Sequence, residues 1–176
     1  MNKKFLALAF TLFAFISQIG HAGPELAPMA VWVNEAIVAT YSFGYKDYLD
    51  DQKQIAKYFT ADGWINYSKA LNDSKLPESV QKNLYFVSAV ATEPPVITRV
   101  DNTNWKATMP LLVIYQNAQY KQHQNLKVTI SFTTAASGQG VRGFSITSLQ
   151  SVVTTPPCQC PIDVEPTPAA NVGTAK

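Results

Sequence analysis

Histidine, cysteine and charge are all scarce in this chain of 176 residues. It has two histidines and two cysteines, and charged residues make up 15% of the total. One histidine, His21, falls in the amino-terminal stretch, leaving His123 for any catalytic or metal-binding work. It stands in the polar run Gln119-Tyr120-Lys121-Gln122-His123-Gln124 without the carboxylate or histidine companions such work requires, and reads as a solvated loop residue. The chain has no Gly-rich phosphate loop, no nucleophile elbow and no histidine-containing metal motif. After the first 22 residues no apolar run approaches the roughly 20 residues needed to cross a bilayer.

What is there begins with an export signal. Lys3 and Lys4 precede an apolar run from Phe5 to Ile16, and Gly20-His21-Ala22 places small residues at a cleavage site. This is the layout of a secretory leader over residues 1–22, and the Lys-Lys start has a bacterial look. Export to the periplasm or beyond is expected; retention of the Phe5–Gly20 segment as an inner-membrane anchor is the rival, and only then is a membrane a partner. The absence of cysteine just after the leader argues against a lipid-modified amino terminus. The leader carries two of the fourteen basic residues and none of the twelve acidic ones, so the mature chain is expected to be neutral. Without a net positive field, nucleic-acid binding is excluded. At 47% hydrophobic the remainder is too apolar for a disordered chain.

Gly23 to Ala30, with Pro24 and Pro28, reads as a linker, and residues 31–153 as one domain. Val33, Ile37 and Tyr41, then Ile55 and Phe59, predict a helix from Val31 to about Tyr58, with Gly44 as a kink or a point of close approach. Thr60 or Asp62 is the N-cap of a second helix over Trp64–Leu71, and Pro77-Glu78 opens a third ending near Lys82. The period then changes to two. Strands are expected over Leu84–Ala91, from Trp105 to about Ile114, over Leu126–Thr133 and over Val141–Val153. Leu112 and Ile114 make both faces of the second strand apolar, and Pro110 belongs at an edge or bulge because it cannot donate to the ladder. The predicted class is α+β, with amino-terminal helices packed on a curved antiparallel sheet of about four strands. Residues 154–176 read as a Pro-rich flexible tail.

The chemistry available to such a fold is limited. Asp50-Asp51 could attract a cation, but adjacent exposed acids are usually a wet helix face. A conical pocket between helices and sheet could gather Asp62, Tyr41, Tyr58 and Arg99, which would make a small-ligand or enzymatic site the alternative reading. Asn66-Tyr67-Ser68 and Asn72-Asp73-Ser74 match the glycosylation triplet, which carries no meaning behind a bacterial leader. Cys158 and Cys160 are candidates for a disulfide, either local and strained or between molecules; two cysteines cannot complete a zinc site. No catalytic, cofactor-binding or metal-binding residue is assigned.

Trp32-Val33-Asn34-Glu35-Ala36, Thr40-Tyr41-Ser42-Phe43 and the run from Gln54 to Trp64 resemble the periplasmic region of the DotI/IcmL family. So do Tyr67-Ser68-Lys69-Ala70-Leu71 and Val87-Ser88-Ala89-Val90-Ala91 with Pro94-Pro95; the likeness spans about residues 30–153. The resemblance implies a component or accessory of the type IVB (Dot/Icm) secretion machinery with a cone-shaped fold like that of nuclear transport factor two. It further implies action by protein–protein contact, without catalysis or cofactor, on other secretion subunits or on itself as a homo-oligomer. Family members carry a transmembrane helix where this chain has a leader, which points to a soluble periplasmic paralogue.

Overall fold

The computed structural model describes residues 26–160. The expected leader, and the tail beyond Cys160, lie outside the described residues. Four helices come first: α1 (Leu26–Thr40), α2 (Tyr48–Ala56), α3 (Ala61–Asp73) and α4 (Leu76–Asn83). A two-residue strand β1 (Phe43–Gly44) separates α1 from α2. The rest is β2 (Phe86–Ala91), β3 (Val96–Arg99), β4 (Asn104–Gln116), β5 (Lys121–Thr134) and β6 (Phe144–Cys160). All pair antiparallel in the order β1-β2-β4-β5-β6, while β3 pairs with the first half of β4. The α+β class therefore stands, with six strands in place of about four.

The alternation of β4 and β5 sets the core. Trp105, Ala107, Met109, Leu111 and Val113 of β4, with Leu126, Val128, Ile130 and Phe132 of β5, are buried on the inner face. α1 lays Met29, Trp32, Val33, Ala36 and Ile37 against them. Trp32 meets Phe132 and Phe144 at ring-centroid distances of 5.1 and 5.4 Å, and Trp105 stacks on Phe132 at 5.6 Å. Truncating such a buried tryptophan generally costs about 3–5 kcal/mol, so this aromatic knot ties α1 to the sheet.

Several boundaries differ from the sequence expectation. α1 takes in Leu26 to Ala30, residues expected to belong to the linker. The long helix expected through Tyr58 stops at Thr40; Phe43 and Gly44 pair with Val87 and Phe86, and α2 starts afresh. A β-carbon on Gly44 would lie 3.2 Å from the Phe86 ring, which explains the glycine by close approach and not by a kink. Pro110 sits neither at an edge nor at a bulge. It occupies the gap where β4 changes neighbour, between β3 (paired as far as Thr108) and β2 (paired from Leu111). Its carbonyl accepts from the Thr92 N–H at 3.2 Å on that side, so the absent N–H also faces the gap and no ladder bond is lost. β6 continues as strand to Cys160, into the segment expected to be tail.

α3 meets the sheet edge backbone to backbone. The Thr60 side chain caps the helix by accepting from the Gly63 N–H at 3.1 Å, as the sequence predicts for Thr60. The Thr60 N–H donates to the Ile146 carbonyl at 2.9 Å, and the Ile146 N–H donates to the Tyr58 carbonyl at 2.7 Å. These bonds fasten the start of α3 to β6 and leave a cleft between the helix and the strand's later residues.

Candidate functional site

The cleft has a volume of about 780 Å³ and lies between α3, the start of α4 and the inner side of β4, β5 and β6. Tyr41, just past the end of α1, Tyr67 of α3 and Tyr115 of β4 bring their rings to it; Leu126 and Leu149 add apolar wall, and Asn66, Gln124 and Ser151 add polar groups. Burial pushes the Tyr41 hydroxyl up to about 12; the Ser151 side chain opposes the rise and Tyr115 adds to it. Burial also raises Tyr67 and Tyr115 above the ordinary tyrosine value. The Tyr67 hydroxyl donates to the Thr40 carbonyl at 3.3 Å, while its ring stacks on Phe59 at 4.9 Å. Hydroxyls held protonated in this way donate hydrogen bonds and do not take up protons, so these three tyrosines supply no general base.

The four residues proposed to converge in a pocket do not converge. Of Asp62, Tyr41, Tyr58 and Arg99, only Tyr41 lines the cleft. Asp62 is exposed in the first turn of α3, where a carboxylate suits the positive end of the helix. Arg99 is exposed at the end of β3 and donates to the Asp101 and Asn102 carbonyls at 2.9 and 3.4 Å, bracing a turn. Tyr58 faces elsewhere: its hydroxyl donates to Glu35 Oε1 at 2.8 Å, and Arg142 pairs with Glu35 Oε2 at 2.8 Å. Burial, then the Glu35 carboxylate, lifts the Tyr58 hydroxyl to about 12. That trio links α1, the end of α2 and the loop before β6.

The other chemical candidates are likewise placed apart. Asp51 Oδ2 accepts from the Gly44 N–H at 2.9 Å, and Asp50 pairs with Lys53 at 2.7 Å. Among the described residues no three potential ligands gather as a metal site. His123 is not in a loop. It is half-buried in β5, whose polar start is held by backbone pairing to Ile114 on one side and Cys158 on the other. Cys158 and Cys160 lie at the end of β6, and their side chains are outside the described residues.

A second feature lies on the opposite side of the sheet. The residues of β2, β3 and β4 that alternate with the core point outward, and many are apolar. Val96, Val90 and Phe86 are 69, 54 and 50% exposed. Val90 stands opposite Leu112, and Ser88 opposite Ile114, so the apolar residues form one strip along β4. No described helix covers it, since the buried residues of α1 belong to the inner core. The signal for this strip is present in the sequence as apolar residues at both parities of β2 and β4. The tyrosine lining of the cleft has no such signal, because Tyr41, Tyr67 and Tyr115 meet only in three dimensions.

A family model described as an inner-membrane complex component of the type IVb secretion system, DotI/IcmL, matches residues 23–152. The chain belongs to the DotI/IcmL family. It is similar to an IcmL-like type IV secretion system protein from Legionella pneumophila at 67% identity and a TM-score of 0.74, covering 79% of this chain and all of that one. It is also similar to the periplasmic domain of DotI, at 32% identity and a TM-score of 0.67, over 70% of this chain and 92% of that one. CagV from Helicobacter pylori, a VirB8 homologue, is 14% identical with a TM-score of 0.62 over 73% of this chain and 99% of that one, and shares the fold alone. No curated protein matches the chain. Among the described residues no helix is long and apolar enough to cross a membrane.

Proposed function

We propose that this DotI/IcmL-family chain is an exported, non-enzymatic component or accessory of a type IVB secretion system, working in the periplasm by contact with other subunits. The observation that carries the reading is the match to the periplasmic domain of DotI across nearly all of that domain. The uncovered apolar strip of β2 and β4 supports it, since exposed apolar surface of this kind marks protein–protein contact. The dispersal of Asp62, Tyr58 and Arg99 away from the cleft supports the non-enzymatic part. Expression of the tagged full chain in a cell that carries such a system, followed by gel filtration of the envelope extract, tests the proposal. Elution with secretion subunits in a complex larger than the chain alone is expected; elution free of every subunit would overturn it.

The tyrosine-lined cleft favours one second reading, a carrier of a small apolar ligand with hydrogen-bond acceptors. Such a ligand would raise the melting temperature of the wild type and do so less for Tyr41→Phe. A broad panel of apolar acceptors that leaves the melting temperature unmoved would rule this reading out.

A further inference from the structure

A groove of about 870 Å³ lies at one end of the outer face of the sheet, between the end of α4 and the turn that joins β4 to β5. Tyr45, Lys82, Leu84, Phe86, Ser88 and Gln116 are among the residues that line it, and no carboxylate is. Its walls are fastened from within the fold. The Asn117 side-chain amide donates to the Asn83 carbonyl at 2.8 Å, and that of Gln81 donates to the Tyr45 carbonyl at 3.0 Å. The Leu84 and Tyr85 N–H groups donate to the Gln81 and Val80 carbonyls at 3.4 and 3.0 Å, so these carbonyls at the helix end are satisfied without an occupant.

Two features of the groove fit an occupant that is both apolar and acidic. The first is Leu84. It is 54% exposed, and its backbone is left-handed with φ at 54°, a conformation for which glycine or asparagine is the usual residue at a helix end. Glycine would close α4 with less strain; leucine adds an apolar side chain to the groove that Phe86 also lines. The second feature is charge. Lys46 Nζ stands 5.8 Å from the centre of the Tyr45 ring and 6.0 Å from that of Phe86. Neither Lys46 nor Lys82 enters an ion pair among the described residues. β2 to β6 contain no aspartate or glutamate, and the outer positions of β4 and β5 add the exposed Lys106 and Lys127.

We propose that this groove docks a segment of another secretion subunit in which an apolar side chain stands beside aspartate or glutamate. The apolar side chain packs on Leu84 and Phe86, and the carboxylates face Lys46 and Lys82. The inference rests on the secretion-component reading and names the chemistry of the partner. The groove runs along β2 from Phe86 and Ser88 toward Val90, so the docked chain continues onto the apolar strip. Leu84, Phe86 and Ser88 are exposed, which leaves the groove too open to bury a small ligand as a pocket does. A bilayer presents a flat face and cannot follow the recess between the end of α4 and the β4–β5 turn. A second copy docked by the same face would set lysine against lysine.

The test uses the tagged full chain in cells that carry a type IVB system. A water-soluble carbodiimide, which joins an amine to an adjacent carboxylate, is added to the envelope extract, and linked peptides are identified by mass spectrometry. Coupling of Lys46 or Lys82 to an aspartate or glutamate of a secretion subunit is expected. Leu84→Gly keeps the left-handed backbone and should melt no lower than the wild type, yet co-elute with that subunit several-fold less. Lys82→Glu should lose co-elution to a similar degree, and Lys82→Arg should keep it. Coupling only to carboxylates of this chain, such as Asp163 or Glu165, or of a second copy would overturn the proposal. So would sedimentation of the purified chain with phosphatidylglycerol vesicles that Leu84→Gly abolishes. If the wild type, Leu84→Gly and Lys82→Glu all co-elute equally with subunits, this proposal fails and the secretion-component reading stands. If the wild type elutes free of every subunit, that reading fails and this one with it.

Discussion

Gly63 is the position where one added carbon should do most damage for its size. It is buried in the first turn of α3, and a β-carbon built on it would lie 2.5 Å from the Ile146 carbonyl oxygen and 3.1 Å from that of Thr147. Ordinary contact begins near 3.4 Å, so the helix or the strand must withdraw by about 0.9 Å, and both neighbouring atoms are backbone. Withdrawal stretches the Thr60 N–H bond to Ile146 and the Ile146 N–H bond to Tyr58, now 2.9 and 2.7 Å. Each is worth about 1 kcal/mol net, and overpacking adds about 1–3 kcal/mol. The better helix propensity of alanine returns at most about 1 kcal/mol. Gly63→Ala should therefore lose about 2–4 kcal/mol, a fall in melting temperature of roughly 10 °C for a domain of this size. Thermal unfolding followed by circular dichroism reads it, with Lys69→Ala on the exposed side of α3 as a control that should lose little stability. Gly63→Ala melting at or above the wild type would refute the close approach of α3 to β6.

Three further outcomes follow from the geometry. Thr60→Ala removes the side-chain cap of α3 and should cost about 1 kcal/mol by chemical denaturation; serine at the same position should recover most of it. The raised Tyr41 hydroxyl makes the folded state bind its proton more tightly than the unfolded state, so its contribution is complete below pH 10 and is lost as pH climbs toward about 12. Stability should decline between those values, and Tyr41→Phe should decline less steeply, as melting temperatures at pH 8 and 11 would reveal. Trp32→Ala empties the centre of the aromatic knot and should cost about 3–5 kcal/mol, enough to unfold a marginal domain; Trp32→Phe should retain the fold.

Much of this architecture was legible from local pattern. α3 announces itself by its cap at Thr60, and the cores of β4 and β5 by strict alternation from Trp105 and from Leu126. The break after Thr40 was not legible, because Val33, Ile37, Tyr41 and Ile55 keep a helical spacing across a strand of only two residues. Nor was β3, four residues squeezed between Pro95 and the Asp101 turn. The last third of β6 and the first residues of β5 carry no apolar period; backbone pairing between the two strands holds them. Tyr41 was readable as a pocket residue, but its neighbours Tyr67 and Tyr115 come from a helix and a strand remote in sequence. Asp62 and Arg99 were misplaced for a related reason: short-range rules put a residue on an element without saying which way that element faces.

The proposed contact with secretion subunits has its best candidate surface in the outer face of β2 and β4. A photocrosslinking residue at Val90, installed in the full chain in cells carrying a type IVB system, tests it most directly. Irradiation is predicted to give adducts with a secretion subunit, identified by mass spectrometry, that are absent when the same group replaces Leu49, which is exposed on α2. Adducts at Leu49 but none at Val90, or none with any secretion subunit, would contradict it.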